Sequence, residues 1–277
     1  MANPWLSRRV LNYAHQGGAL EAPSSTLYAL HRALRVGATA LELDAHLTAD
    51  DQLVLAHDGT VDRLTDGTGA INALTLAELR KLDAAYHFAF EEKPGAFPFR
   101  GRAPADPELR IPTLDEVLEA FPRTFLNLDI KAGEEKSEAC ALALARALLA
   151  RNRDGDFIVA SFDDSLTEAF SRAAPGIATS VGMSAAMAIW QAVHEGKPLP
   201  PISHLALQLP AQFQDTAVVT AELVGRAHEA GIAVHVWTVN EASEMERLCE
   251  LGVDGLITDR PSLCAQVLES RGVTYRG

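Results

Sequence analysis

Three carboxylates lie within apolar segments of the sequence, where charge is unexpected. Glu42 and Asp44 are two residues apart in the run TALELDAHL, and Asp129 lies near the end of FLNLDI. Residues two apart on a strand point to the same side, so the first two carboxylates share one face. Carboxylates that face a common interior repel one another unless they are protonated or neutralised. A hard divalent cation, which takes oxygen ligands, is the economical solution.

Two histidines and a lysine complete a set that suits phosphoryl chemistry. His15 follows the apolar segment VLNYA, His57 lies near the end of QLVLAHD, and Lys131 comes two residues after Asp129. Histidine transfers protons near neutral pH, and a lysine close by suits an anionic group such as phosphate. Each residue alone also has an ordinary explanation, such as a hydrogen-bonded strand-end histidine or a simple ion pair. Together they predict metal-assisted phosphoryl chemistry with a histidine acid–base pair.

The elements that must position these residues follow a regular alternation. Longer helical patterns separate eight short apolar runs, at 10–14, 39–47, 125–130, 157–161, 177–181, 204–209, 233–239 and 255–258. Eight strands that are each followed by a helix predict an α/β fold of the (β/α)8 TIM-barrel type, in which the carboxyl ends of the strands converge on one face. A doubly wound open sheet is the main rival, but no GxGxxG follows the first strand.

One region interrupts the alternation. It begins with a further short strand, QLVLAHD, and continues with a short helix, TLAELRKL, and a loop rich in Phe, Pro and Gly. We expect one domain over 1–277, with this insertion after the second strand at approximately 59–110. A loop this long is usually functional. Its aromatic residues would either cover the substrate or pack on the barrel wall: Tyr86, Phe88, Phe90, Phe97 and Phe99.

Composition narrows the classes of partner and location. The formal net charge of −13 argues against nucleic acid, whose phosphates are held by an excess of Lys and Arg. No apolar run reaches the roughly 18 residues of a membrane span. No signal-peptide pattern follows the two N-terminal arginines. We therefore expect a cytoplasmic protein without stable membrane insertion, and no pattern indicates its oligomeric state.

Several segments, in order, give the chain a strong resemblance to a known family. They are H-x-G-G-x-x-E from His15, ELDAHLTADDQLVLAHD, IPTLDEVLEAFP, LNLDIK and VHVWTVNEASEMERLCELGVDGLITDRP. They span nearly the whole chain, from His15 to Pro261, and resemble the glycerophosphodiester phosphodiesterase family. The resemblance implies a TIM barrel with a small insertion after the second strand. It also implies hydrolysis of glycerophosphodiesters to glycerol 3-phosphate and an alcohol, with one bound divalent cation, Mg²⁺ or Ca²⁺.

The resemblance also implies a role for each residue of the candidate site. It makes three carboxylates the metal ligands: Glu42, Asp44 and Asp129. His15 and His57 become the general acid and base, in an order that the sequence leaves open, and Lys131 becomes a phosphate contact. One histidine would deprotonate the glycerol 2-hydroxyl for attack on phosphorus, and the other would protonate the leaving alcohol. Water would then open the cyclic phosphate. Trp237, on the seventh strand, is a further candidate for substrate binding.

The chain departs from the family pattern at three places. Gln16 stands where the family usually has Arg, which removes a charge able to bind phosphate through two hydrogen bonds. The usual Glu-Asn-Thr is Ser24-Ser25-Thr26, and Asp129 stands where Glu is common at the third ligand position. Glu21 would either compensate in the pocket or lie exposed in a loop. None of these changes removes a candidate ligand or histidine.

Three functions remain open from the sequence. The first is metal-dependent hydrolysis of water-soluble glycerophosphodiesters such as glycerophosphocholine. The second is a phospholipase D-like reaction on lysophospholipids, with the insertion aromatics lining an acyl path. The third is a catalytically weak barrel that binds phosphodiesters, motivated by Gln16 and Ser24. Retention of both histidines and all three carboxylates favours the first two.

Overall fold

Strands and helices alternate along the chain in the computed structural model, which describes residues 3–103, 105–214, 216–273 and 275. Its strands are β1 (Leu11–His15), β2 (Ala40–Leu47), β3 (Leu53–Leu55), β4 (Phe125–Ile130), β5 (Phe157–Ala160), β6 (Ala178–Thr179), β7 (Ala206–Pro210), β8 (Gln212–Phe213), β9 (Thr216–Ala217), β10 (Ala233–Trp237) and β11 (Gly255–Thr258). Its helices are α1 (Leu27–Arg35), α2 (Leu76–Leu79), α3 (Leu114–Ala120), α4 (Ser137–Leu149), α5 (Asp164–Ala173), α6 (Met183–His194), α7 (Ala221–Glu229), α8 (Ala242–Leu251) and α9 (Pro261–Ser270). Each of the eight apolar runs overlaps a strand.

Eight of the strands form a nearly closed barrel. Neighbours in the order β6-β5-β4-β2-β1-β11-β10-β7 pair in parallel. A parallel bridge between Ser180 and Ala206 joins the two ends of this order. The predicted (β/α)8 barrel is therefore confirmed, and the rival open sheet is wrong. Within the described ranges, no helix has the length and apolar character needed to cross a membrane.

The alternation of side chains along each strand determines which residues enter the barrel. In β2, Leu41, Leu43 and Ala45 belong to the apolar layer between the strands and the outer helices. The residues between them, Glu42 and Asp44, therefore point into the barrel. The same alternation places four residues of β1, β4 and β10 on the inner face of the barrel, where they line the cavity described below: His15, Asn127, Asp129 and Trp237.

The lower part of the barrel is a packed apolar core. Leu11, Tyr13, Ile158 and Trp5 belong to one cluster of buried side chains. Trp5 comes from a short 3-10 helix, Pro4–Leu6, and is only 1% exposed. Since this layer is filled by side chains, a substrate can approach the inward-facing polar residues only from the carboxyl ends of the strands.

The chain between β2 and α3 adds a small substructure beside the carboxyl end of β2. β3 pairs antiparallel with β2, with Ala45 opposite Leu55, and His57 follows two residues later. The short helix expected here is α2, which begins with a capping box between Thr75 and Glu78. Buried apolar side chains hold the segment together: Val54, Val61, Ile71 and Leu79.

The five aromatic residues of this segment pack against one another and against neighbouring side chains. Phe88 packs edge-on against both Phe90 and Phe99, and Phe99 lies against Tyr28 of α1 with 5.0 Å between ring centroids. The Arg100 guanidinium lies over the remaining two rings, Tyr86 and Phe97. Because none of these five rings lines the cavity described below, their arrangement favours packing over an acyl path.

Candidate active site

A cavity of about 250 Å³ opens at the carboxyl ends of the barrel strands. Its charged wall comes from β1, β2, β4 and the segments that follow β3 and β4, and consists of His15, Glu42, Asp44, His57, Asp129 and Lys131. Its apolar wall comes from β7, β10 and the segments after β5 and β6, and includes Phe162, Val181, Met183, Leu209, Pro210 and Trp237. The fold thus brings together the six residues singled out for cation binding, proton transfer and phosphate contact.

Two carboxylates of the charged wall share one lysine. Asp44 and Asp129 are direct neighbours in the pairing of β2 with β4. The Lys131 ammonium lies 2.5 Å from Asp44 Oδ1 and 3.0 Å from Asp129 Oδ2. Burial lowers the pKa of Lys131, but the charges of Asp44 and Asp129 outweigh it and raise that pKa overall. The lysine is therefore a fixed cation at the top of the barrel.

One lysine does not satisfy all the negative charge on this wall. Among the described residues, Glu42 Oε2 and Asp44 Oδ2 are buried oxygens without a hydrogen-bond partner. Burial, and then the charge of Asp44, raise the pKa of Glu42 to about 8. Burial also raises the pKa of Asp129, although Lys131 opposes the shift. A further positive charge beside these carboxylates would stabilise their ionised forms and lower their pKa values.

The donor set fits a hard divalent cation. Its buried oxygens come from carboxylates on two paired strands, which is the ligand chemistry of Mg²⁺ and Ca²⁺. In the described part of the chain, no three His, Cys, Asp or Glu side chains are already grouped as a metal site. The Lys131 ammonium instead lies against Asp44 and Asp129, as described above.

His15 is held by a partly buried aspartate. Its Nδ1 lies 2.6 Å from Asp259 Oδ1, and Asn240 Nδ2 donates to Asp259 Oδ2 at 2.8 Å. The other ring nitrogen, Nε2, lies 3.8 Å from Glu42 Oε2. Burial lowers the pKa of His15, but the hydrogen bond to Asp259 and the charge of Glu42 raise it to about 9 overall. With Asp259 on Nδ1, Nε2 is the ring nitrogen that can exchange a proton, and Gln16 Nε2 lies 3.1 Å from it.

His57 has a similar but more open arrangement. Its Nδ1 lies 2.7 Å from Asp58 Oδ1, and Arg63 Nε donates to Asp58 Oδ2 at 2.5 Å. Burial raises the pKa of Asp58, but its hydrogen bonds with Arg63 and His57 lower it overall. The His15 and His57 rings lie edge to face with centroids 5.4 Å apart. The two imidazoles are therefore close enough to serve one substrate.

The turn after β1 is tight because two glycines allow close packing. Gly17 and Gly18 have φ values of +82° and +89°. A Cβ on Gly17 would lie 2.8 Å from the Ala29 side chain, and one on Gly18 would lie 2.7 Å from Pro261. The two glycines therefore allow the chain to turn sharply after β1. The close neighbours of these glycines are helices α1 and α9.

The remaining candidate residues take different positions. Gln16 is buried behind His15 and does not line the cavity. Glu21 also lies outside it, because its carboxylate accepts hydrogen bonds from Ser262 at the start of α9 and from Arg32 of α1. Trp237 lines the apolar wall, where its ring packs edge-on against Phe162 with 5.6 Å between centroids. The geometry supports a substrate contact for Trp237 and a structural role for Glu21, whose carboxylate links α1 to α9.

Sequence reasoning missed several residues that shape the site. Asp259 and Asn240 lie in segments that were recognised as family motifs, but their contact with His15 depends on the adjacency of β1, β10 and β11. Their positions just after strands were the available signal. Phe162 lies in the short connection after β5 and Met183 is the first residue of α6, and no sequence pattern distinguishes a cavity wall from an exposed surface at these positions.

Comparison with known proteins places the chain among phosphodiesterases. Residues 15–263 match the model of the glycerophosphoryl diester phosphodiesterase family. A glycerophosphodiester phosphodiesterase of Caldanaerobacter subterraneus is 33% identical over 95% of this chain and all of its own length. A lysophospholipase D of Homo sapiens is 26% identical over 90% of this chain and 83% of its own.

A solved structure agrees in fold. An Oleispira antarctica phosphodiesterase, determined in complex with the product sn-glycerol-3-phosphate, is 27% identical and has a TM-score of 0.77. The match covers 96% of this chain and 99% of that one. With the family model matching nearly the whole barrel, the chain belongs to the glycerophosphoryl diester phosphodiesterase family of hydrolases.

Proposed function

We propose that this protein hydrolyses glycerophosphodiesters to sn-glycerol 3-phosphate and an alcohol, with a divalent cation and a two-histidine acid–base pair. The observation that carries the proposal is the pairing of His15 and His57, 5.4 Å apart, beside a buried carboxylate cluster in one cavity. Family membership supports the same reaction. The solved relative in complex with sn-glycerol 3-phosphate supports the identity of the product.

The carboxylates of the charged wall would hold the cation: Glu42, Asp44 and Asp129. Two buried oxygens of this set have no hydrogen-bond partner among the described residues, which supports the assignment. When bound, a cation would neutralise these acids and polarise a phosphoryl oxygen. Either Mg²⁺ or Ca²⁺ suits ligands of this kind. Lys131 would contribute a positive charge to the phosphoryl group.

The two histidines would transfer the protons of the reaction. One accepts the proton of the glycerol 2-hydroxyl, whose oxygen attacks phosphorus, and the other donates a proton to the departing alcohol oxygen. Asp259 and Asp58 hold Nδ1 of His15 and of His57, so Nε2 of each ring is the atom that exchanges a proton with substrate. Water then opens the cyclic phosphate, and the protons pass back through the same pair.

Lysophospholipids are a second candidate substrate class, favoured by the apolar wall. Phe162 and Met183 stand 47% and 43% exposed beside Trp237, so an acyl chain could lie against them without displacing polar groups. The match to a human lysophospholipase D supports this class. The acyl path first considered, through the insertion aromatics, is disfavoured because those rings pack against one another and α1.

A matrix of substrates and metals tests the proposal. Glycerophosphocholine, glycerophosphoethanolamine and a lysophospholipid would each be incubated with Mg²⁺, Ca²⁺ or a chelator, and the released sn-glycerol 3-phosphate or free choline measured. We expect turnover of at least one diester with a cation, abolished in His15→Ala and in His57→Ala. The absence of turnover on every diester with either metal would contradict the proposal and favour a barrel that only binds phosphodiesters.

A further inference from the structure

Gln16 and Ser24 form a buried polar pair beside His15 that the proposed proton transfer does not use. The two residues are only 4% and 6% exposed. Ser24 Oγ donates to Gln16 Oε1, and Gln16 Nε2 lies 3.1 Å from His15 Nε2. The pair therefore lies against the ring nitrogen of His15 that Asp259 does not contact.

Asp259 determines which atoms donate and which accept in the series of contacts that runs from it through His15 and Gln16 to Ser24. The Asp259 carboxylate only accepts, so Nδ1 of His15 carries a ring proton, and Nε2 is an acceptor in the form of the ring that has given up its second proton, which is the form that acts as a base. The Gln16 amide nitrogen donates to it, which leaves the amide oxygen for the Ser24 hydroxyl. If the amide were reversed, its oxygen would face the His15 acceptor and lone pairs would oppose each other.

The backbone of Gln16 is fixed independently of its side chain. The residue has a φ of +53°, in the left-handed region, which is uncommon for a side chain of this size. Its N–H donates to the Glu42 carbonyl at 3.0 Å, and its carbonyl accepts from the Ser25 N–H at 2.7 Å. These bonds place the side chain beside His15, and the Ser24 hydroxyl then determines which end of the amide faces the ring.

We propose that Ser24 is a positioning residue that acts through Gln16 to hold the His15 imidazole by its Nε2 edge, while Asp259 holds the Nδ1 edge. This rests on the catalytic role proposed for His15. Before substrate binds, a ring held at both edges keeps its orientation and tautomer, which lowers the cost of reaching the reactive geometry. The substrate oxygen then takes the place of the Gln16 amide at Nε2, the atom that exchanges the proton. Without the Ser24 hydroxyl, the Gln16 amide loses its fixed direction and the His15 ring loses one of its two supports.

Ser25 provides a matched control. It adjoins Ser24 and is 3% exposed, but its hydroxyl has no hydrogen-bond partner among the described residues. Ser24→Ala and Ser25→Ala therefore each remove one buried hydroxyl from the same turn, and only the first removes a contact with Gln16. Comparable thermal unfolding midpoints would show that both variants fold.

The test combines kinetics with nitrogen-15 NMR of the histidine rings. We expect Ser24→Ala to lower kcat for glycerophosphocholine about three- to tenfold with little change in KM, as for the loss of one hydrogen bond. It should also move the Nε2 resonance of His15, identified by its absence in His15→Asn. Ser25→Ala should do neither. In a Gln16→Leu background, Ser24→Ala should have no further effect on either quantity, because the two residues act as one unit.

Two results would overturn the proposal. One is an unchanged His15 resonance and an unchanged kcat in Ser24→Ala. The other is an equal loss from Ser24→Ala with and without Gln16, which would show that the serine acts independently. The NMR measurement needs no substrate. A wild-type protein that hydrolyses nothing, but whose His15 resonance still responds to Ser24→Ala, would contradict the proposed function while supporting the positioning role.

Discussion

The charged wall and the apolar wall of the cavity are built from different parts of the barrel. Glu42 and Asp44 of the charged wall stand on a central strand and are 6% and 1% exposed. Phe162 and Met183 of the apolar wall follow strand ends and stand far more open to solvent. A strand residue is fixed by pairing on both sides, whereas a connecting segment can change without disturbing the sheet. We infer from this difference that the charged wall carries the proposed chemistry and the apolar wall the choice of substrate.

The largest effect should follow from a change in the charged wall. We expect Asp44→Asn to lower kcat/KM for every diester by about a hundredfold or more, because it removes a buried charge that contacts Lys131 and would contact the cation. Initial rates of sn-glycerol 3-phosphate release measure the loss. Asp115 is an exposed residue of α3 whose carboxylate pairs with Arg151, so the activity of Asp115→Asn should be close to that of the wild type. Equal activity of the two variants would contradict the proposal that the charged wall carries out the reaction.

The two histidine–aspartate pairs should differ in sensitivity. Asp259 is more buried than Asp58 and is held by Asn240, while Asp58 is more open and shares its charge with Arg63. Asp259→Asn should therefore cost about a hundredfold in kcat, and Asp58→Asn about tenfold. Full kinetic curves for both variants on one substrate decide the order. A greater loss in Asp58→Asn would show that burial does not rank the pairs.

A change in the apolar wall should alter selectivity. Phe162→Ala should raise KM for a lysophospholipid by about three- to tenfold and leave glycerophosphocholine nearly unaffected, because only the first carries an acyl chain to pack on the ring. Leu149→Ala is the control, since Leu149 is similarly exposed on α4 but away from the cavity. If Phe162→Ala changed both substrates equally, the two walls would not be separable.

The smallest expected effect is on stability. The pKa of folded His15 is about 9, above the ordinary value of 6.5, so the folded chain binds more protons than the unfolded chain between these values. This histidine therefore stabilises the fold below about pH 6.5, and its contribution is lost as pH rises through 9. Asp259→Asn should flatten this dependence in chelator-treated protein, measured as the free energy of unfolding in urea. An unchanged slope would show that Asp259 does not set the charge on His15.

The barrel and the members of its charged wall were accessible from sequence for a physical reason. Strand periodicity places Leu41 and Leu43 outward and turns Glu42 and Asp44 inward, whatever the details of packing. The contact between His15 and Asp259 was not accessible, because it joins residues 244 positions apart through the pairing of β1 with β11. The role of Glu21 was also hidden, since its partners on α1 and α9 meet only in the closed barrel. Phe162, in the apolar wall, lies on a connection between β5 and α5 that no periodicity describes.

Direct measurement of cation binding tests the central claim that the charged wall holds the metal on which the chemistry depends. Chelator-treated protein would be titrated with Mg²⁺ and with Ca²⁺ by calorimetry, for the wild type and for Asp129→Asn. The account predicts saturable binding of a single cation by the wild type, clearly weakened binding by the variant, and hydrolysis that rises with occupancy. Full hydrolysis of glycerophosphocholine in chelator, by a wild-type protein that binds neither cation, would contradict it.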